Sequence, residues 1–486
     1  MLIGSMAIGT VEDWVSGPVP VVSWHASRAS LEKARRAPIS AVPASYIQTQ
    51  HLRRFCESAA QGHDYSRLLT VAHEIAGQCD IRVMTHVINA QLRRRDTYHS
   101  WFEYTDAKHI VRHTIADPAD VEFIPINFGE MTPAKFRTHI LATPGPLHWD
   151  CFTFGVIQYA DHFTFYMSFD HLLMDAVAAV AIAMEFHTMY TTLAAGDVPL
   201  PLPPAGSYND FCLRERRHTS ALTAESPQVR GWIEFAENNE GTLPDFPLPL
   251  GGPSGTATGE ILTARLMDEH QTRRFEWACM SVGARFIGGI FACAGLAEHE
   301  LTGAETYYGI TTVDTRSTPS EFMTQGWFTG LIPITVPVAA TSFGAAARAA
   351  QDSFDWGTEM ADVPFDRVLE LAPWLSTPRP HFPVLNFFDA GAAPLSAHVT
   401  SLGGSTISLY GDGKLSHQLP ISVSRLATET AVTVWFPNNP TARRSVNRYV
   451  EAMKSKCVGV ADGRDPPRRQ QTCHSEERKG LRETAK

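Results

Sequence analysis

A segment rich in Pro and Gly, residues 241–258, divides this chain into two halves that carry separate sets of predicted helices and strands. It opens as Gly-Thr-Leu-Pro-Asp-Phe-Pro-Leu-Pro-Leu-Gly-Gly-Pro-Ser-Gly, a composition typical of a linker or crossing segment. The chain has 486 residues, and single hydrophobic cores stop growing at roughly 250–300 residues. We therefore predict an α+β protein with one lobe in residues 1–240 and a second in residues 259–460.

Hydrophobic periodicity supports this division, because each half alternates between patterns of period 2 and period 3.6. The strands predicted in the first half are Val21–Trp24, Arg67–Ile75, Trp101–Tyr104, His109–Ile115, Cys151–Gln158 and Phe163–Phe169. The helices predicted there are Ser30–Arg36, Tyr46–Ala60, Asp80–Arg95, Ala176–Leu193, Asn209–Arg217 and Gln228–Glu237.

The second half has a similar mixture of elements. Its predicted strands are Ile261–Leu266, Thr306–Thr312, Leu331–Val336, Val384–Phe388, Ser405–Tyr410, Leu419–Arg425 and Ala431–Phe436. Its predicted helices are Asp268–Val282, Phe286–Leu301, Phe343–Gly357 and Ala442–Ser455. Residues 461–486 are polar and charged, and we expect a disordered tail there.

Charge, cysteine usage and hydropathy exclude several classes of protein. The net charge of −10 disfavours nucleic acid as a partner. The eight Cys form no CxxC pair, so we expect a reducing cytoplasm and no disulfide framework. The best apolar run, Ala176–Met184, is about half of the roughly 18 residues that span a membrane. We expect no integral membrane segment, which leaves a peripheral visit to the inner face of the plasma membrane open.

The step from residue 163 to residue 176 carries the most specific chemistry. An alternating aromatic strand runs into His171-Leu-Leu-Met-Asp175, and a helix rich in Ala and Val follows. An imidazole at the end of a rigid strand is well placed to act as a general base on a hydroxyl or amine. The residues leave a second interpretation open, in which His171 is a hydrogen-bonded core histidine and Asp175 is a helix N-cap. Asp170 could tune the site or simply end the strand.

The same spacing occurs once more, as His113-Thr-Ile-Ala-Asp117. His113 falls in a charged strand, and Asp117 precedes Pro118 in a turn. Irregular polar turns rarely preorganise a site, so we predict a structural role for this second match.

Other chemistries leave no trace in the sequence. It has no G-x-S-x-G elbow, Walker A loop, H-E-x-x-H helix or G-x-G-x-x-G turn. His73-Glu74 and His299-Glu300 lack the second His that a zinc site needs, so we predict no metal. The lack of a nucleophile motif favours direct acyl transfer over a covalent acyl-enzyme.

The stretch Ser168–Ala176 resembles the HHxxxDG signature of the condensation-domain superfamily, with Asp170 in place of the first His and Ala176 in place of the Gly. More narrowly, the chain is similar to the mycobacterial polyketide-associated acyltransferases that build trehalose glycolipids. The stretches that carry this resemblance are Val22–His25, Gln78–Arg82, Tyr98–Phe102, Ala205–Cys212, Phe246–Gly251, Gly283–Gly289, Met323–Pro333 and Phe436–Pro440.

The resemblance implies two chloramphenicol-acetyltransferase-like lobes in a V shape, with a central tunnel and His171 at its middle. It implies that Asp175 holds the motif by pairing with an Arg, for which Arg316 is the candidate; an ordinary surface Arg is the alternative. It also suggests Asn386 as a donor to an oxyanion, although an interior strand Asn satisfied by backbone is the stronger interpretation of that residue.

The function implied is transfer of a long-chain fatty acyl group from acyl-CoA to a hydroxyl of trehalose or a trehalose-based glycolipid. Acyl-CoA would be a co-substrate, and no cofactor is expected. Three alternatives stay open: trehalose-2-sulfate as acceptor, an acyl donor bound to a polyketide synthase, and a non-catalytic condensation-like scaffold.

Overall fold

The computed structural model of the protein describes residues 2–3, 6–106, 109–198, 202, 204–251, 258–389, 407–426 and 428–464. Most of the tail expected at 461–486 therefore lies outside the described residues, as do residues 252–257 of the predicted linker.

Helices and strands alternate along both halves of the described chain. The helices are α1 Arg28–Arg35, α2 Tyr46–Ala60, α3 Ile81–Arg94, α4 Pro133–Leu141, α5 Ala176–Ala194, α6 Tyr208–Ala221, α7 Pro227–Asn238, α8 Glu269–Ser281, α9 Phe286–Thr302, α10 Pro319–Phe322, α11 Phe343–Thr358, α12 Phe365–Leu371 and α13 Pro440–Ala461. The strands are β1 Leu2–Ile3, β2 Met6–Thr10, β3 Val19–Ala26, β4 Leu68–Ala76, β5 Ser100–Asp106, β6 His109–Thr114, β7 Phe123–Met131, β8 Phe152–Gln158, β9 His162–Asp170, β10 Gly259–Asp268, β11 Thr306–Asp314, β12 Thr329–Pro337, β13 Phe382–Asp389, β14 Ile407–Gly411, β15 Gln418–Arg425 and β16 Glu429–Pro437.

The first sheet has the strand order β1-β2-β14-β4-β9-β8-β3-β7. β9 lies inside it, antiparallel to both β4 and β8, with Leu68 and Phe152 opposite Asp170 and Phe169. Its side chains are buried along almost the whole strand, and α3 and α5 cover one face with a core of Phe, Val and Ile. The strand that leads to His171 is therefore held on both edges and covered by a core.

The second half forms a sheet of order β10-β16-β15-β13 and a separate hairpin, β11-β12. Helices α8, α9, α11 and α13 pack on these strands and share one hydrophobic core with them. A Cβ at Gly289 of α9 would lie 2.3 Å from Cys279 Sγ, which no real contact allows, so this Gly lets α8 and α9 approach closely.

One strand passes from the second half of the chain into the first sheet. β14 falls within residues 259–460, yet it runs parallel to β2 and antiparallel to β4. The two halves therefore share a sheet, which the alternating pattern of β14 alone cannot indicate, because strand periodicity marks the faces of a strand and not its partners.

Local sequence explains where the elements around the site begin. Ser45 caps α2 and forms a capping box with Gln48, which satisfies two backbone N–H groups at the start of the helix. Asp175 caps α5 in the same way by accepting a hydrogen bond from the Ala178 N–H. Both helices begin at the predicted residue.

Six elements of the described chain were not predicted: β1, β2, β7, α4, α10 and α12. β7 is an edge strand in which only the two end residues, Phe123 and Met131, are buried. It therefore lacks the alternation that marks a half-buried strand.

One helix in the described part of the chain, α5, is long and apolar enough to cross a membrane. Its buried side chains pack in the core of the first sheet, and Glu185 within it forms ion pairs with Arg94 and Arg95. α8 and α9 pass the same test only as a pair, bent by 96°. The contacts of α5 are those of a core helix.

Candidate active site

His171 lies at the first position of a single 3-10 turn, His171–Leu173, between β9 and α5. Its backbone N–H donates to the Arg67 carbonyl at 2.7 Å, which ties the turn to the start of β4. The strand before it and the helix after it are both packed in the core, so the position of the imidazole is set by rigid elements.

The imidazole of His171 has two different nitrogens. Nδ1 is enclosed and has no hydrogen-bond partner, whereas the residue as a whole is half-buried, so Nε2 lies on the accessible side of the ring. The indole of Trp327 packs against the ring, with centroids 4.1 Å apart and planes tilted by 32°.

The surroundings of His171 favour its neutral form. Burial and then the nearby His51 lower its pKa below the usual value, while the backbone of His171 itself, Asp175 and Asp170 act in the opposite direction. A neutral imidazole with one accessible nitrogen can accept a proton from a bound hydroxyl, which is the first requirement of a general base.

Asp175 points its carboxylate at the second half of the chain. One oxygen, Oδ2, accepts hydrogen bonds from Arg316 Nη1 at 3.0 Å and from the Phe328 N–H at 2.9 Å. The other, Oδ1, accepts from Arg316 Nη2 at 3.1 Å and from the Ala178 N–H at 2.8 Å. These four donors occupy both oxygens, and none of them belongs to His171.

Arg316 is fully enclosed. Its side chain has 0% exposure, and it also donates to the Glu321 carbonyl and to Asp314. Its guanidinium lies over the ring of Phe328, 4.4 Å from the centroid. The structure thus brings together Asp175 and the Arg proposed as its partner, as a bidentate pair that joins the two halves of the chain next to His171.

Asn386 has a different setting. It lies on β13, and its Oδ1 accepts a hydrogen bond from Thr312 Oγ1 of β11 at 2.8 Å. Among the described residues, no hydrogen bond or ring contact joins Asn386 to His171. The hydrogen bond that is described for Asn386 ties the β11–β12 hairpin to the second sheet.

The second His-x-x-x-Asp match is built into a two-stranded ribbon. His113 lies on β6, stacks on Trp101 at 4.3 Å, and binds the Ala37 carbonyl and Glu103 through its two nitrogens. Asp117 only caps a short 3-10 turn. Both nitrogens of the His113 imidazole are therefore engaged in hydrogen bonds with neighbouring groups.

Three further side chains surround His171 that the sequence pattern did not assign: His51, Arg67 and Trp327. They come from α2, the start of β4 and the segment before β12, so no local spacing connects them to His171. Asp170 was visible as a departure from the HHxxxDG signature, and it is fully buried, in hydrogen-bonding contact with His51 and Arg67.

A cavity of about 260 Å³ lies between α2, α6, α12 and the start of β12. It does not include His171. The charged and amide side chains that line it are Gln50, Arg54, Arg214, Glu215, His218, Asp362 and Asp366. Burial raises the pKa of Glu215 to about 7, and burial also raises that of Asp366. In the described ranges, no group of three or more His, Cys, Asp or Glu residues is arranged to hold a metal ion.

Comparison with known proteins identifies this architecture. Residues 40–377 match the family model described as the condensation domain. The chain is 55% identical to the acyltransferase PapA3 of Mycobacterium tuberculosis over 461 residues, which are 95% of this chain and 98% of PapA3. It is 56% identical over 463 residues to 2'-acyl-2-O-sulfo-trehalose (hydroxy)phthioceranyltransferase PapA1 of the same species, covering 95% of this chain and 90% of PapA1.

Two further matches are both named PapA2, one a sequence and one a solved structure. Trehalose-2-sulfate acyltransferase PapA2 of Mycobacterium bovis is 54% identical over 460 residues, 94% of this chain and 98% of PapA2. A solved structure of PapA2 acyl transferase superposes with a TM-score of 0.90 and 54% identity, covering 94% of this chain and all of that one. The chain therefore belongs to the condensation-domain family and has its fold, and it is an acyltransferase of the PapA type.

Proposed function

We propose that this enzyme transfers a long-chain fatty acyl group from acyl-CoA to a hydroxyl of trehalose or of a trehalose-based glycolipid, with His171 as general base. The observation that carries the proposal is a neutral imidazole with an accessible Nε2, held at the end of a buried strand. The sugar is inferred from the relatives, since the names of PapA1 and PapA2 specify sulfated trehalose acceptors.

The chemistry needs one proton carrier and no covalent intermediate. Nε2 of His171 accepts the proton of the acceptor hydroxyl while that oxygen forms a bond to the thioester carbonyl carbon. The tetrahedral intermediate then breaks its C–S bond, and the departing CoA thiolate takes the proton back from His171. A positioned base of this kind contributes about 10²–10⁴-fold in rate, and binding both substrates in one geometry supplies much of the rest.

Asp175 has a structural task in this proposal. Its carboxylate is filled by Arg316, Phe328 and Ala178, so it orients the turn that carries His171 and leaves the imidazole free. Because the pair is buried, removal of either charge strands the other one away from water. We give Asn386 no catalytic step, since its described hydrogen bond goes to Thr312.

The acceptor side follows from the cavity beside α2. Gln50 donates to Asp366 at its wall, Glu215 lines it as well, and aromatic rings such as Tyr46 and Phe211 complete it. Carboxyl and amide groups between aromatic faces suit a polyhydroxylated sugar, whose hydroxyls need acceptors and whose C–H faces need apolar contact. Trp327 on His171 and Thr329 in the cavity wall are two residues apart, about 7 Å along an extended chain. That separation is within the reach of a disaccharide.

The arrangement of the halves completes the proposal. We infer two lobes, residues 1–240 and 259–460, joined by residues 241–258 in a V shape whose central tunnel admits the thioester and the sugar from opposite faces. The Asp175–Arg316 pair and strand β14 both cross between these lobes. Such an enzyme would work in the cytoplasm, where acyl-CoA is available, with visits to the inner face of the membrane that receives the lipid product.

A sulfated acceptor is a second candidate because PapA2 is named as a trehalose-2-sulfate acyltransferase. A chain delivered by a polyketide synthase is a second candidate for the donor, since PapA1 is named for a (hydroxy)phthioceranyl chain. Both alternatives keep His171 as the base and the same fold. They differ from the main proposal only in the acceptor or in the acyl donor that binds next to His171.

The test incubates the purified protein with palmitoyl-CoA and either trehalose or trehalose-2-sulfate, and follows free thiol and lipid product by mass spectrometry. Thiol release that depends on one acceptor and is lost in His171→Ala supports the proposal and identifies the acceptor. An undiminished rate in His171→Ala would overturn the base. Absence of product with both acceptors would overturn acyl-CoA as donor, and carrier-bound acyl chains would be tested next.

A further inference from the structure

The carboxylate directly before His171 is one of the most enclosed charges in the described part of the chain. Asp170 has 0% exposure. Its Oδ1 accepts hydrogen bonds from His51 Nε2 at 2.7 Å and from the Leu172 N–H at 3.1 Å, and its Oδ2 accepts from Arg67 Nη1 at 3.4 Å. A buried carboxylate needs such partners, and its side-chain partners here come from α2 and from the residue before β4.

The more buried of the two side-chain partners, His51, also lies close to the reacting histidine. Its side chain is 3% exposed, and its ring contacts Trp327 with centroids 5.6 Å apart. The same indole packs on His171 at 4.1 Å. Two imidazoles therefore contact one tryptophan, and only the imidazole of His171 has its Nε2 open.

Helix α2 is fixed where it holds His51. Gln48 Nε2 donates to the Leu172 carbonyl at 3.1 Å, which docks α2 on the turn of His171. Ser45 and Gln48 form the capping box that starts the helix. Helix α2 is therefore held against the strand end at two residues one turn apart: Gln48, which binds Leu172, and His51, which binds Asp170.

We propose that His51 is a positioning residue for acyl transfer: bound to Asp170 and packed on the same indole as His171, it offsets the carboxylates that face the base. This inference rests on the proposed role of His171 as general base. In this chain Asp170 replaces the first His of the HHxxxDG signature. The imidazole of His51, which lies on α2, binds that carboxylate.

The groups around His171 determine in which direction a change at His51 moves the pKa of His171. Asp170 and Asp175 favour the protonated form of His171, and each of them also carries an Arg, namely Arg67 and Arg316. His51 acts in the opposite direction and lowers the pKa of His171. Removal of the His51 imidazole alone leaves two carboxylates facing His171, so the protonated form of His171 gains stability and the base loses activity at mildly acid pH.

The experiment measures kcat/KM against pH from 5 to 9 for the wild type and for His51→Gln. A Gln side chain keeps an N–H donor for Asp170 but removes the imidazole. We expect the acid limb of the profile to move up by about 0.5–1 pH unit, with most of the activity restored at high pH. An unmoved limb, or a loss that is equal at every pH, would overturn the proposal.

Two further variants separate charge from packing. Asp170→Asn removes a carboxylate that favours protonation of His171, so its acid limb should not move up; an upward move as large as that of His51→Gln would contradict the proposed role of His51. His113→Gln alters another tryptophan-stacked histidine away from the site, and its profile should match the wild type. Thermal melting of each variant checks that it is folded.

Failure of this inference is distinguishable from failure of the proposed function. If His171→Ala stays active, the base itself is wrong. If His171→Ala is inactive while the profile of His51→Gln is unshifted, His171 remains the base and only the role of His51 is lost.

Discussion

The chain contains two His-x-x-x-Asp steps, and the structure treats them in opposite ways. At His171 the enclosed Nδ1 has no partner and Nε2 is accessible, while Asp175 reaches across to Arg316 in the second half. At His113 both nitrogens bind neighbouring groups, and Asp117 binds only the Ala119 N–H. The spacing is the same in both, so the spacing alone does not make a site.

What differs is the element that carries each histidine. His171 directly follows an inner strand of the eight-stranded sheet, and Trp327 from the second half of the chain packs on its ring. His113 lies in the two-stranded β5–β6 ribbon, whose hydrogen-bonding needs are met locally. A catalytic group must keep a polar atom unsatisfied, and only a rigid, well-packed frame can hold one in that state.

The largest expected effect comes from removing each imidazole in turn. His171→Ala should lower kcat by about 10²–10⁴-fold with little change in thermal stability, because a half-buried side chain with no side-chain hydrogen bond is removed. His113→Ala should leave kcat within about twofold and cost about 1 kcal/mol of stability through the lost stack and hydrogen bonds. Steady-state thiol release and thermal melts measure both. Equal rate losses in the two variants would contradict the distinction drawn between the steps.

The two aspartates sharpen the comparison through stability. Asp175→Asn strands the buried guanidinium of Arg316, which keeps Asp314 as a partner, so we expect a loss of about 3 kcal/mol, the lower end for a broken buried pair. Asp117→Asn keeps its N–H acceptor at the surface and should change stability by less than about 0.5 kcal/mol. Urea unfolding measures both. An Asp175→Asn protein of normal stability that had lost only rate would contradict the structural role of Asp175.

Helices and strands were predicted from the sequence where the signal lies within the element itself, and missed where it does not. The bounds of α2 and the start of α5 were predicted because caps and hydrophobic periodicity both lie within the helix. β7 was missed because an exposed edge strand has no buried face to mark it. The exchange of β14 into the first sheet could not be predicted, since pairing partners far apart in sequence leave no local signal.

The residues of the candidate site also fall into those that the sequence indicated and those that only the fold brings together. His171 and Asp175 share one motif, and Arg316 entered through the family resemblance; the structure joins Asp175 to Arg316. Asn386 was suggested on the same grounds, and its described hydrogen bond leads elsewhere. His51, which lies 119 residues from its partner Asp170 along the chain, had no feature that separates it from the other histidines until the fold brought it to the site.

A third test uses acid to compare buried histidines. On β4, next to the strand of His171, His73 is fully enclosed with an unpartnered Nε2, and burial, with His187 nearby, lowers its pKa to about 3. Below its unfolded pKa of about 6.5, the unfolded chain binds the proton more readily than the folded chain does, so stability falls as the pH is lowered. At pH 5 the cost from this one group is about 2 kcal/mol.

His73→Leu should remove that part of the acid sensitivity, so the difference in unfolding free energy between pH 7 and pH 5 should shrink by about 2 kcal/mol. His113→Leu, in which a hydrogen-bonded and stacked histidine is replaced, should leave the difference nearly unchanged. Urea unfolding at the two pH values measures this. The same slope in the wild type and in His73→Leu would show that His73 is not the group that titrates.

The smallest expected effect concerns the substrate rather than the base. Asp366 lines the cavity beside α2 and accepts a hydrogen bond from Gln50. If a sugar hydroxyl binds there, Asp366→Asn should raise KM for the acceptor about three- to tenfold, the loss expected for one hydrogen bond, and leave KM for acyl-CoA and kcat nearly unchanged. Asp117→Asn provides the matched surface control. A rise in KM for acyl-CoA instead would assign the cavity to the thioester, and the two faces of His171 would then have to exchange their substrates.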